Sequence, residues 1–192
     1  MNILLRFRQI SALCALLLIS GGTVALSQDA AAPKSAAEVV KTHAYVSLDP
    51  VPRGKDFQAA IVVDIANGYH MNSHKPLDSY LIPTTLMPQL PAGITLADTI
   101  YPSGHSEKFP FSPDKPLNVY TKSVTLRLKL SADASAKLGA TAIPVVLRYQ
   151  ACNNSACLPP VKVPVSVQLQ IVAAGATSKA MHPEIFSAGT SK

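Results

Sequence analysis

The stretch VKVPVSVQLQI, residues 161–171, alternates apolar and polar side chains: Val161, Val163, Val165, Val167, Leu169 and Ile171 stand against Lys162, Ser166, Gln168 and Gln170. A period of two fits an extended chain, whose successive side chains point to opposite faces, one buried and one in water. Pro164 has no N–H to donate, so this strand is expected at a sheet edge or with Pro164 on its unpaired side. The pattern recurs upstream. Phe57, Ala59, Ile61, Val63 and Ile65 share a face opposite Gln58 and Asp64, and Val124, Leu126, Leu128 and Leu130 alternate with Thr125, Arg127 and Lys129. Shorter candidates lie at 43–48, 80–86, 94–101 and 143–151. About seven strands separated by Pro, Gly and Asn turns predict an all-β fold, an antiparallel β-sandwich. Only residues 132–138 read as helical, for a single turn.

Composition agrees. Of 192 residues, 48% are hydrophobic and 15% charged, too apolar for a disordered chain and enough for one domain. Sixteen prolines argue against a coiled coil, and nine glycines exclude collagen. The net charge of +6 comes from 17 basic and 11 acidic residues, but the basic ones are scattered singly. No nucleic-acid patch is expected from that pattern.

The first 27 residues read as a signal peptide. Arg6 and Arg8 form a positive region, residues 10–19 are apolar, and Ala25 and Ser27 stand at −3 and −1 of a cleavage before Gln28. The apolar run is too short for a membrane span, and Cys14 inside it is not placed as a lipidation site. Cleavage would leave 165 residues with two cysteines, exported to a compartment where disulfides form. Residues 28–42 read as a flexible linker, 43–172 as the domain, and 173–192 as a disordered tail.

The chemistry gathers at YQACNNSACLPP, residues 149–160. A strand ends at Cys152, another begins soon after Cys157, and Asn-Asn-Ser-Ala between them are turn formers. In such a hairpin the cysteines face each other, because a non-hydrogen-bonded antiparallel pair has Cα atoms about 4.5 Å apart, within disulfide reach. Three readings stand open. A redox centre is favoured by the exposed loop and by the small gain of a short bridge, about 2 kcal/mol against nearly 5 for a loop of a hundred residues. A structural staple and a metal site are the others, and zinc would need two further ligands that no second C-x-x-C supplies.

This segment, with the alternating Val strand after it, resembles the N-terminal periplasmic domain of the thiol:disulfide interchange protein DsbD. GYHMNSHKPLDSYLIPTTL at 68–86 and IYPSGHSEKFPF at 100–111 with PLNVY at 116–120 support the resemblance, which covers about 43–172. It implies an immunoglobulin-like β-sandwich. It also implies a thiol–disulfide oxidoreductase, or protein-disulfide reductase, that passes electrons to thioredoxin-like periplasmic proteins in cytochrome c maturation. Cys157 would form the mixed disulfide and Cys152 would resolve it. Residues 101–116 fall where the family has a cap loop, making Phe109 and Phe111 the covers of the cysteines. With four prolines, one glycine and no sustained alternation, this segment is expected to be a stiff loop and no strand.

Departures matter too. The best-known members have one more residue between the cysteines than the four here. Where those members present a pair of aromatic residues, this chain has His70 and Asn72. The 192 residues carry neither the membrane domain nor the thioredoxin domain of full-length DsbD, so a separate membrane-embedded electron donor is expected. The protein is expected to be a monomer that needs no cofactor and no resident metal.

His70, Met71, His74 and His105 admit a copper reading, since imidazole and soft sulfur suit that metal. Ordinary turn histidines are the bland reading, and a protonated His70 lowering a thiol pKa is a third. The alternative to an exchange protein is therefore a non-catalytic sandwich, stapled at its hairpin, that binds a partner protein or copper. Nothing points to a Ser-His-Asp site, a phosphate loop or a nucleotide fingerprint.

Overall fold

The computed structural model describes residues 35–187. The expected signal peptide with Cys14, residues 28–34 of the expected linker and residues 188–192 lie outside the described residues.

A 3-10 turn, Ala36–Val39, precedes β1 (Val40–Val46), β2 (Leu48–Asp49), β3 (Val51–Pro52) and β4 (Lys55–Ile65). β5 (His70–Asn72), β6 (Thr85–Pro88), β7 (Ile94–Ile100), β8 (His105–Phe109), β9 (Ser112–Tyr120) and β10 (Ser123–Ala132) follow. The chain continues through β11 (Gly139–Tyr149), β12 (Ala151–Cys152), β13 (Val161–Val172), β14 (Lys179–Ala180) and a short helix, α1 (Pro183–Phe186). No helix among the described residues is long and apolar enough to cross a membrane.

Two four-stranded sheets, ordered β1-β4-β10-β7 and β3-β13-β11-β6, form the expected immunoglobulin-like sandwich. Every pairing within them is antiparallel except the short one of β3 with β13. The register explains the alternation: Val124 opposes Val63, Leu126 opposes Ile61 and Leu130 opposes Phe57, so each pair shares the inner face. These side chains join Ile143, Val145 and Leu147 of β11 and Val167 and Ile171 of β13 in one core. Each large apolar side chain taken from water there stabilises the fold by about 1.5–3 kcal/mol.

β13 meets the expectation for Pro164. It has β11 beside it throughout but β3 only at Ile171 and Val172, so Pro164, opposite Val146, lies on the open edge. Its first apolar residues, Val161, Val163 and Val165, are only half-buried.

Several expectations are corrected. Of residues 132–138, Ala132 ends β10 and the rest form a turn and no helix, because the Asp133 carboxylate accepts hydrogen bonds from the Ser135 N–H and hydroxyl at 2.7 and 2.6 Å. Gly93, at φ +80°, closes against that turn, where a Cβ would strike the Ala136 backbone. The strand placed at 80–86 begins only at Thr85, since the N–H groups of Leu81 and Thr84 are taken by Asp78 and Ser73. Order also reaches beyond 43–172 at both ends. Ala36 and Val39 are buried, and β1 pairs with β4 from Val40 onward. β14 pairs with β2, and Arg127 donates to the Phe186 carbonyl at 2.9 Å, so part of the expected tail is tied to the sandwich.

The largest correction concerns 101–116. The expected loop is mostly a hairpin, β8 with β9, in a third sheet ordered β12-β5-β9-β8. A register shift between Glu107 and Phe109 breaks the alternation that would have revealed it. Pro113 and Pro116 are tolerated because β9 has only β8 beside it over that stretch.

One contact ties the start of the domain to the cysteine hairpin. The buried Tyr149 hydroxyl donates to the Ala36 carbonyl at 2.6 Å, and burial pushes the phenol pKa up to about 12. Tyr149→Phe strands that carbonyl and is expected to cost about 1–3 kcal/mol in urea unfolding. A change below about 0.5 kcal/mol, the range of a neutral surface substitution, would show that the 3-10 turn is held by other contacts.

Candidate functional site

At Gln150 the chain changes sheets. β11 and β13 pair as far as Tyr149 and Val161, but the two residues of β12 pair instead with β5, Ala151 opposite Met71 and Cys152 opposite His70. Asn153 then builds the turn that returns the chain. Its side-chain oxygen accepts from the N–H groups of Ser155 and Ala156, both at 2.9 Å, and its own N–H donates to the Ala156 carbonyl. The Leu158 N–H reaches back to the Ala151 carbonyl at 2.8 Å. Cys152 and Cys157 are thereby left as a single bridged pair, with Cα atoms 3.9 Å apart and a disulfide between them.

The two sulfur-bearing residues differ in access. Cys152 is fully buried, whereas Cys157 is exposed beside the turn. Ladder order then places three residues in a row on one face: Cys157, Cys152 and His70.

A brace holds this row. The buried Asn72 side-chain N–H₂ donates to the Ile82 carbonyl at 3.1 Å and to Gln150 Oε1 at 3.3 Å, while Gln150 Nε2 donates to the Leu158 carbonyl. Thr84 donates to the Asn72 carbonyl at 2.6 Å. Gln150 and Thr84 escaped sequence reasoning, since nothing in a linear motif marks residues that meet across three strands. Their adjacency to the cysteine motif and to Pro83 is the only local signal.

Phe109 and Phe111 lie on His70. The Phe109 ring stacks on the imidazole with centroids 3.9 Å apart, and Phe111 stacks on Phe109 at 5.5 Å. Phe109 is buried in a small apolar cluster with Leu81, Leu117 and Val119, whereas Phe111 is 40% exposed. In the ladder order of its sheet the hairpin β8–β9 is separated from β12 by β5, and its rings lie on His70, the neighbour of Cys152, while Cys157 stays exposed. Beside them Ile65, Asn67, Gly68, Glu107, Lys122 and Asn154 line an open pocket of about 370 Å³.

His70 is buried at 2% exposure, and burial lowers its pKa to about 4, against a raising influence of Glu107 and a lowering one of His105. With the bridge closed, the ring is therefore neutral near pH 7. The other histidines are held apart from it. His74 stacks on Tyr101 at 3.6 Å with its Nδ1 at the Thr84 carbonyl, and His105 meets Glu107 at 3.0 Å on the surface. Among the described residues no three His, Cys, Asp or Glu side chains cluster as metal ligands.

The sequence matches the family described as thiol:disulfide interchange protein DsbD, N-terminal, over residues 36–169. Among solved structures, the reduced N-terminal domain of Neisseria meningitidis DsbD is similar at 20% identity and a TM-score of 0.39, covering 70% of this chain and 88% of its own. The N-terminal periplasmic domain of ScsB from Proteus mirabilis is similar at 16% identity and a TM-score of 0.46, covering 68% of this chain and 46% of its own. No curated protein matches.

Two outcomes follow from the stack. Between about pH 6.5 and 4 the unfolded chain takes up a proton at His70 that the fold does not, so stability falls as pH drops through that window, by up to about 3 kcal/mol. Urea unfolding at pH 7 and pH 4 measures this, and His70→Phe should flatten the difference. The two phenylalanines should also separate. Phe109→Ala empties a buried site and is expected to cost about 3 kcal/mol, while Phe111→Ala costs under about 1 kcal/mol. Equal losses would place both rings in one core.

Proposed function

Because the chain belongs to the family of N-terminal domains of the thiol:disulfide interchange protein DsbD, we propose that it is an exported electron-relay module with Cys152 and Cys157 as its redox pair. One observation carries this reading: the bridge joins an exposed Cys157 to a fully buried Cys152. A partner sulfur can approach only the exposed member, and the buried member stands behind it to close the bridge again.

The chemistry needs no other group. In the reduced protein the Cys157 thiolate attacks the disulfide of a thioredoxin-like partner. A Cys157–partner S–S bond forms, and the partner's second sulfur leaves as a thiolate that takes a proton. The Cys152 thiolate then attacks Cys157 Sγ, releasing the partner's first sulfur and restoring the intramolecular bridge. Two electrons have passed to the partner. A dithiol donor, membrane-embedded and separate from these residues, returns the pair to the thiol state. The proposed setting is the periplasm, where the domain, a monomer cleaved after residue 27, supplies thioredoxin-like proteins that serve cytochrome c maturation. Phe109 and Phe111, resting on His70, are the proposed cover of the buried end of the bridge.

Trapping tests the roles. Cys152→Ser, reduced and mixed with an oxidised thioredoxin-like protein, should accumulate a mixed disulfide through Cys157, seen as a heavier band on a non-reducing gel. Cys157→Ser should trap far less. Equal trapping by both variants, or none by either, would refute the assignment.

A further inference from the structure

β5 carries two side-chain atoms that the fold leaves alone, Asn72 Oδ1 and His70 Nε2. His70 Nε2 is buried and has no hydrogen-bond partner in the structure with the bridge closed. Such an atom is normally paired, because leaving it unmade forfeits the bond it held in water. Its position suggests what would pair it. His70 stands directly opposite Cys152 in antiparallel register, and both are buried. Side chains opposite each other share a face with Cβ atoms about 4.5–5.5 Å apart, within reach of an imidazole nitrogen and a sulfur. Phe109 stacks on the ring plane at 3.9 Å and His70 is buried, so the imidazole is not free to swing out to water.

In the disulfide state Cys152 Sγ has no hydrogen to give. In the dithiol state it has one. We propose that reduced Cys152 donates its S–H to His70 Nε2, so that reduction supplies the partner the bridged state lacks and the redox pair is biased toward the dithiol. Two electrons and two protons come from a dithiol protein donor, which is itself oxidised to a disulfide. The Cys152–Cys157 bond breaks, one proton stays on the exposed Cys157 sulfur, and the other sits on Cys152 Sγ facing His70. Oxidation reverses each change and strands Nε2 again. The acceptor role requires a neutral ring with its proton on Nδ1; burial keeps the ring neutral near pH 7, and Glu107 and His105 are the titratable groups that bear on it. This inference rests on the exchange reading above.

The test compares the wild-type protein with His70→Phe, a ring that keeps the stack on Phe109 but accepts no hydrogen bond. Both are equilibrated in a series of dithiothreitol redox buffers, and the reduced fraction is read by thiol alkylation. The variant's equilibrium should shift about fivefold to tenfold toward the disulfide, the worth of one hydrogen bond. In wild-type protein labelled with ¹⁵N histidine, the His70 Nε2 resonance should move on reduction toward that of a hydrogen-bonded acceptor. That second measurement decides the matter if the variant does not fold. Identical equilibria in a folded variant, or an Nε2 resonance unmoved by reduction, would overturn the proposal while a wild-type bridge that opens in the buffers leaves the exchange reading standing. A wild-type bridge that stays closed throughout would overturn both.

Discussion

The row Cys157, Cys152, His70 depends on the change of sheets at Gln150, where the chain stops following β11 and pairs with β5. Had β11 and β13 simply continued to a tight turn, both cysteines would have sat at the tip of a hairpin with water on either side. The step instead makes Cys152 part of the edge strand of a third sheet, where it is buried, and leaves Cys157 exposed. Asn72 and Gln150 hold the step in place by bonding across it, and Asn153 sets the turn that brings the chain back. The proposed division of labour between an attacking and a resolving sulfur is a consequence of that one departure from regularity.

Stability is distributed unevenly around it. The sandwich core joins β4, β10, β11 and β13 through long antiparallel ladders. The β8–β9 hairpin rests on the four-residue cluster of Leu81, Phe109, Leu117 and Val119, and β9 meets β5 through only two residue pairs. Segments with few buried apolar contacts open at lower free energy than the core that carries them. Tyr120, at the end of β9, ties that hairpin to the sandwich core. The bridge closes a short loop, five residues in separation, so it adds little to the stability of the whole.

The strands legible in the sequence are the long ones with a wet face. β4, β10 and β13 each run past ten residues or close to it, and alternation over that length has no other physical reading. β5 was not legible because three residues, all buried, show no alternation at all. β8 and β9 were hidden by a register shift and by prolines that a one-sided strand accepts. The ends were misjudged for a different reason: Ala- and Ser-rich composition describes a linker well, yet Val39 finds a buried seat and Lys179–Ala180 finds β2.

The sequence by itself determined the all-β class, the family, and the two cysteines flanking a turn, because each of these is written in local spacing: a period of two, a run of motif residues, four residues between thiols. Which cysteine is buried, that the imidazole beside it is neutral, and that two phenylalanines lie on that imidazole were decided only by the tertiary structure. Burial and ring stacking are properties of neighbours, and His70, Phe109 and Cys152 are neighbours only because β5 draws together strands far apart in the chain.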